Sequence, residues 1–217
     1  IKYYEEKALR ETQVLGRVGL RRNTGPNTTI EGGILVGQSY ARGIHYSDRY
    51  GAYAAFTRPI AQRAFGRFTI ERYQADYRGF ALADGPRTVV TGGLRYAVTA
   101  QTLLHTNAFV LRSDAASSLQ SGWEGALTVG AVHSFRGGLV ANLDLTAGLD
   151  KRDGVSRLTG VARKDRSVAI DTEFFDSRLK IGRFLPVLRL SYERNRSNLV
   201  LNDYTNRSDR LWVSHRT

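Results

Sequence analysis

Residues 139–150 read Leu139-Val140-Ala141-Asn142-Leu143-Asp144-Leu145-Thr146-Ala147-Gly148-Leu149-Asp150. The odd-numbered positions are all Leu or Ala, whereas the even ones are mostly polar and include two aspartates past Asn142. Successive side chains of a strand leave on opposite faces, so a period of two gives one oily face and one wet face. Carboxylates on the wet face would be costly in a dry core. They suit a wall with water on one side only.

The same rhythm runs outward in both directions. Val90, Gly92, Leu94, Tyr96 and Val98 alternate with Thr91, Arg95 and Thr99. Trp123, Leu127, Val129, Ala131 and Phe135 alternate with Glu124, Thr128 and Ser134, and Leu188, Leu190 and Tyr192 with Arg189, Ser191 and Glu193. Weaker copies lie at Val14–Leu20, Ile30–Tyr40, Tyr50–Phe56, Phe68–Tyr73, Leu104–Val110 and Val168–Phe174, with a closing one at Asp209–Arg216. Turn signals separate them: Thr24-Gly25-Pro26-Asn27, Ala83-Asp84-Gly85-Pro86, Arg136-Gly137-Gly138, Arg152-Asp153-Gly154 and Asn202-Asp203. Tight connections alternate with longer polar ones such as Ser113 to Ser121, as in a barrel with short turns at one end and loops at the other. A spacing of roughly 18–22 residues per strand and connection predicts about 10 to 12 strands. Only Tyr3 to Glu11 reads as helical.

Composition agrees and narrows the choice. No stretch approaches the ~18 apolar residues of a membrane-spanning helix; the least polar, Ala97 to Leu111, is broken by Gln101, His105 and Asn107. If this chain enters a bilayer it does so as a closed barrel, because only helices and closed barrels satisfy their backbone there. The net charge of +12 raises nucleic acid as a partner. The charges are dispersed, however, and nearly all Arg: Lys2, Lys7, Lys151, Lys164 and Lys180 are the only lysines. They read as a solvated surface or polar interior, with no nucleic-acid stripe. The chain has no Met and opens on Ile1, so it is expected to be a processed or cut piece of something longer.

A soluble barrel or sandwich would share the period of two. Against it, the apolar faces are rich in Gly and Ala, which would pack a large core poorly, and charges such as Arg95, Asp144 and Asp171 fall in mid-strand. Tyr40, Tyr46, Tyr50, Tyr53, Tyr73, Tyr77, Tyr96, Trp123, Phe135, Tyr192, Tyr204 and Trp212 cluster near segment ends, as the aromatic girdles of membrane barrels do. Tyr is also simply a good strand residue, so this clue supports without deciding. The expected fold is all-β: a transmembrane antiparallel up-and-down barrel of the outer-membrane type, of roughly 10 to 14 strands.

Catalytic arrangements do not assemble. His45-Tyr46-Ser47-Asp48 gathers His, Ser and Asp in what reads as one polar loop, but triad members converge from separate segments. His133 and Ser134 point to opposite faces of a strand, and His105 and His215 stand alone. With zero Cys and four scattered His, no metal or thiol site is expected, and no cofactor. Glu5-Glu6, or Asp165 with Asp171, read as solvated charge. The glycine pairs at 32–33, 92–93 and 137–138 precede no helix and read as bends of a wall. Asn195-Arg196-Ser197 matches the glycosylation pattern, which means little in a bacterial protein. The chain is not expected to be an enzyme.

The C-terminal third carries a family likeness. From Lys164 it runs through an alternating strand at Arg166 to Phe174, then Gly182-Arg183-Phe184-Leu185-Pro186, Tyr192-Glu193-Arg194-Asn195-Arg196-Ser197-Asn198, and Tyr204 before a last strand. This resembles the C-terminal barrel of the surface lipoprotein assembly modulators (Slam) of Gram-negative bacteria. The carrying positions are Gly182, Pro186, Tyr192, Asn195, Ser197, Asn198 and Tyr204. The resemblance implies an outer-membrane barrel that helps lipoproteins, or related secreted proteins, reach the cell surface, placed there by the barrel-assembly machinery. It also implies an upstream periplasmic domain of helical repeats, absent from residues 1–217, and a barrel of about fourteen strands. The first strands are therefore expected upstream.

The resulting expectation is an outer-membrane translocation or assembly factor with both ends on the periplasmic side. Its partners would be outer-membrane lipid and a lipoprotein or secreted-protein cargo. Arg95, Asn142, Asp144, Asp171, Glu173, Arg189 and Glu193 would line the interior and hydrate a passing chain. The alternative is an outer-membrane porin or small-solute channel.

Overall fold

The alternating segments become strands because β-branched, aromatic and Leu positions on one side and polar ones on the other fit a pleated, half-buried surface. The computed structural model describes residues 11–176, 178–179 and 184–215. Its strands are β1 (Glu11–Gly25), β2 (Thr28–Ala41), β3 (Ile44–Ala61), β4 (Ala64–Tyr77), β5 (Gly85–Ala97) and β6 (Thr102–Ser113), followed by β7 (Gly122–Ser134), β8 (Leu139–Val155), β9 (Ala162–Asp176), β10 (Phe184–Ser197) and β11 (Tyr204–His215). The helix expected at Tyr3 to Glu11 lies outside the described residues, save that Glu11 opens β1. So does Gly182. Among the described residues no helix is long and apolar enough to cross a membrane.

All eleven strands form one antiparallel sheet in sequence order, each bonded to its chain neighbours. This is the up-and-down topology the turn spacing predicts. β1 and β11 are the edges, and no pairing joins them among the described residues, so the wall is not closed. At one rim the strands turn through residues 26–27, 62–63, 98–101, 135–138 and 177–183; at the other they turn through 42–43, 78–84, 114–121, 156–161 and 198–203. Past its first turn the second rim carries loops longer than any of the first four turns of the other rim. That first turn, Arg42-Gly43, has φ of 54° and 78°, the left-handed pair whose twist matches a hairpin.

The described strands number eleven, and the chain ends expected together on one side, residues 1–10 and 216–217, lie outside them. Glu11 pairs with Ala41 at the long-loop rim, and His215 pairs with Phe184 at the short-turn rim. The first and last described strands thus begin and end on opposite sides.

One face is packed and the other bare. On β2, Ile34 and Val36 are 60% and 54% exposed, whereas Leu35 between them is 1% exposed. Register carries this across the sheet: Val18, Ile34, Ala52, Phe56, Phe68, Ile70, Val90, Val110, Leu127, Val129, Leu143, Leu145, Ile170 and Leu190 share the bare face. An exposed apolar surface this continuous marks contact with lipid or a partner. The other face is concave. Arg17 on β1 reaches Glu71 on β4 at 2.5 Å, although three strand spacings on a flat sheet span roughly 14 Å. Leu35, Tyr53, Ala55, Thr69 and Ala75 pack there, as do Leu185 and Val187 on β10.

The aromatic girdle is only partly formed. Tyr50, Tyr96, Trp123 and Tyr192 stand on the bare face, but Tyr53, Tyr73 and Tyr204 sit on the concave one. Tyr53 is buried, with its hydroxyl donating to Glu31 at 2.8 Å.

Candidate functional site: the concave polar face

Strand register decides which polar side chains meet. One row of directly paired residues crosses β5 to β10: Arg95, His105, Gly130, Asp144, Asp171 and Ser191. The next row holds Ala97, Leu103, Val132, Asn142, Glu173 and Arg189, and the row on the other side Gly93, Asn107, Thr128, Thr146, Ala169 and Glu193. Arg95, Asn142, Asp144, Asp171, Glu173, Arg189 and Glu193 therefore occupy three adjacent rows of one face.

Two like-charged pairs stand directly opposite each other there, an arrangement that is destabilising unless compensated. Asp144 faces Asp171. Asp144 is held by His105 Nε2 at 2.6 Å and by the Asn142 amide, which donates at 2.9 Å. Asp171 accepts from Arg189 at 2.8 Å and from the Ser191 hydroxyl at 2.6 Å. Asp150 faces Asp165. Arg152 donates to Asp150 at 2.9 Å, and Arg163 pairs with Asp165. Asp165 is 4% exposed and accepts from Ser197 at 2.6 Å. It is a buried, bonded anchor, not the solvated charge expected of it.

His105 was the residue that sequence left alone. Its partner Asp144 lies two strands away across Gly130, where any side chain would intrude between them. Only the register reveals this. The segment His45 to Asp48 also differs from expectation, because it begins β3 instead of forming a loop. His45 Nε2 lies 3.0 Å from Asp48 and 3.2 Å from the Ser47 carbonyl, with no bond to the Ser47 hydroxyl, so no triad forms. His133 meets the Thr102 hydroxyl at 2.8 Å and Phe135 edge-on. Among the described residues no group of three or more His or acidic side chains could hold a metal.

Charge is divided across this face. On β1 to β5 it carries Arg17, Arg21, Arg49, Arg67, Arg87 and Arg95 against Glu31 and Glu71. On β7 to β10 it carries Glu124, Asp144, Asp150, Asp165, Asp171, Glu173 and Glu193 against Arg152, Arg163 and Arg189. A cleft of about 1050 Å³ lies against the basic half, beside Arg67, Thr69, Arg95, Asn107 and Thr128. A second, of about 420 Å³, lies on the acidic half beside Glu124, Asp150, Asp165, Glu193 and Tyr204. Neither Arg95 nor Glu173 makes an ion pair among the described residues. The arrangement presents both signs of charge along one wall.

Of the positions that carry the family likeness, Asn195, Ser197, Asn198 and Tyr204 build one corner of the long-loop rim. Asn198 accepts from the Lys164 amide and donates to the Ala162 carbonyl, both at 2.8 Å, tying the loop to β9. Asn195, 6% exposed, donates to the Asn202 carbonyl at 2.5 Å. Ser197 bridges Asp165 and the Leu199 amide, and the Tyr204 hydroxyl donates to Glu193 at 2.7 Å. Pro186 sits near the start of β10, beyond the reach of β9, where a missing N–H leaves no gap in that ladder. Tyr192 faces outward beneath the Arg207 guanidinium, 5.5 Å away.

Among solved structures, the crystal structure of Acinetobacter baumannii OccAB3 is similar at 10% identity with a TM-score of 0.47, over 89% of this chain and 65% of that one. This chain thus spans less than two thirds of that structure's length. No curated protein matches it. A family model described as surface lipoprotein assembly modifier matches residues 1–215. With that match running through nearly every strand, the chain belongs to the surface lipoprotein assembly modifier family.

Proposed function

We propose that this chain is the wall of a Gram-negative outer-membrane barrel that moves lipoproteins, or related secreted proteins, to the cell surface. The observation that carries the reading is the concave face itself. Its polar side chains, mostly basic on β1 to β5 and mostly acidic on β7 to β10, lie behind a largely apolar exterior. An extended polypeptide carries charges of both signs and unpaired backbone groups. A wall offering Arg on one side and carboxylates on the other can hydrate it without fixing its sequence. β1 and β11, the edges of the sheet among the described residues, would offer backbone to the same passenger, as strand edges do. Membership of the family supports the cargo class.

The test is surface exposure of an epitope-tagged lipoprotein in cells carrying the full-length protein. Reversing Asp171, Glu173 and Glu193 to Lys should lower protease-accessible cargo while outer-membrane levels of the barrel stay constant. Delivery at the wild-type rate would sink the route along this face. Free conduction of small ions by the purified protein in planar bilayers, with cargo delivery untouched by loss of the protein, would favour a solute channel instead.

A further inference from the structure

The bare face is apolar over most of its area but changes character at the long-loop end of β8 to β10. Lys151 on β8 stands directly opposite Lys164 on β9, and Arg166, two residues along β9, stands directly opposite Arg196 on β10. All four side chains are exposed and point outward. None makes an ion pair among the described residues. Neighbouring strands are ~5 Å apart and alternate residues ~7 Å, so four cations share a patch about 10 Å across. Like charges directly opposite each other destabilise a sheet. Elsewhere the chain compensates such pairs, as it does at Asp144 with Asp171 and at Asp150 with Asp165. Here it does not.

What lies beneath the patch identifies the missing partner. Immediately toward the middle of the same strands, the same face presents Leu149, Val168, Leu145 and Ile170, all exposed. At the opposite rim of β8 and β9 this face ends in Leu139, Phe174 and Asp176; neither strand presents a cation there, and Arg178, just beyond β9, is taken up by the Asp176 carboxylate. On β8 and β9 a cationic cap at one end of an apolar band, with no strand cation at the other, matches a molecule with an anionic head and hydrocarbon tails, oriented by the leaflet it occupies.

We propose that Lys151, Lys164, Arg166 and Arg196 bind the phosphorylated headgroup of an anionic lipid in the leaflet at the long-loop rim, with its acyl chains lying on Leu149 and Val168. Two phosphates would neutralise the two opposed pairs, and Arg166 and Arg196 can each grip phosphate oxygens with two N–H groups. This rests on the reading of the bare face as membrane-facing.

The experiment uses the full-length protein extracted from outer membranes in a non-ionic detergent, with native mass spectrometry counting retained diphosphorylated lipid A. Wild type should retain it. The Lys164→Gln/Arg166→Gln pair should lower retention about tenfold or more, as expected for two surface cations near an anionic headgroup. Arg166→Lys should retain it, and Arg22→Gln/Arg58→Gln, at the other rim of the same face, should change nothing. Equal retention by wild type and the double Gln variant overturns the site. So does displacement of lipid A by inorganic phosphate alone at millimolar concentration, which would mean a simple anion site, or retention of acidic protein in place of lipid. Outer-membrane fractionation of the same variants separates failure of this site from failure of the membrane reading, because a barrel that is not membrane-resident would be absent from that fraction whatever it binds.

Discussion

His105 and Asp144 meet across a strand that belongs to neither of them: Nε2 of the imidazole lies 2.6 Å from the carboxylate over the bare backbone of Gly130. The pair joins β6 to β8 and fastens the curl of the wall at its middle row. Gly130→Ala would set a methyl group between the two partners. The variant should lose about 1–3 kcal/mol, as overpacked sites do. The loss should shrink when His105 is already Ala, because the partners are then no longer held together. Urea unfolding of the four variants in detergent, read as a double-mutant cycle, measures this coupling. Additive losses would mean that the pair does not bridge the strand.

A second anchor lies at the long-loop rim, where Asp165 is buried between Arg163 and Ser197. Removing one partner of a buried pair leaves the other uncompensated, but the Arg163 side chain is 38% exposed and water recovers part of the loss. Asp165→Asn should therefore cost about 1–3 kcal/mol. Proteolysis should then nick residues 198–203 first, since Asn195 and Asn198 hold that loop to the same corner. A variant that melts as the wild type does, with the loop still resistant, would remove Asp165 from this role.

Much of this wall was legible in the sequence, and what was not has a physical cause. Alternation at 139–150 fixes which side of β8 is wet, and the same alternation within their own strands does so for Arg95 and Arg189. Pairing across strands is different. His105 and Asp144 are thirty-nine residues apart, and only the register of β6, β7 and β8 sets them in one row. Asp165 reads as solvated charge in the sequence, yet Arg163 two residues away and Ser197 on the next strand bond and cover it. Tyr53 and Tyr204 resemble girdle aromatics in composition, but register puts both on the concave face, Tyr53 opposite Gly33 and Tyr204 opposite Asn195. The likeness near Asn195 and Asn198 marked a corner of the scaffold, something a motif shows only when its bonds are visible.

Tyr53 illustrates how the glycine-rich strands hold together. Its side chain extends past Gly33, its partner on β2, and brings the hydroxyl to Gly19 on β1, where it donates to Glu31, with the Arg17 guanidinium 5.4 Å from the ring centroid. An aromatic that covers facing glycines restores packing that Gly itself cannot supply. Tyr53→Phe loses one hydrogen bond and should cost about 0.5–1.5 kcal/mol. Tyr53→Ala uncovers the glycines and should cost about 3–5 kcal/mol. The spread between the two, measured by urea unfolding, separates the ring's contribution from that of its hydroxyl.

The assignment of faces is open to a direct test in the centre of β7, where Thr128 and Val129 are adjacent. Val129 is 52% exposed among other apolar side chains, whereas the Thr128 hydroxyl bonds Thr146 at 2.8 Å on the concave side. Arg on the lipid face near the bilayer midplane costs about 2–4 kcal/mol, while interior substitutions are far better tolerated. Val129→Arg should therefore fold poorly into vesicles and lose that much stability. Thr128→Arg gives up one side-chain hydrogen bond, about 1 kcal/mol, and places its charge beside the polar rows of Asp144 and Asn142. Both residues lie on one strand, so a general defect of β7 would strike the two variants alike. If Thr128→Arg proved the more damaging, the oily face would have to be turned inward and the polar face outward, and every role given to the concave wall would go with it.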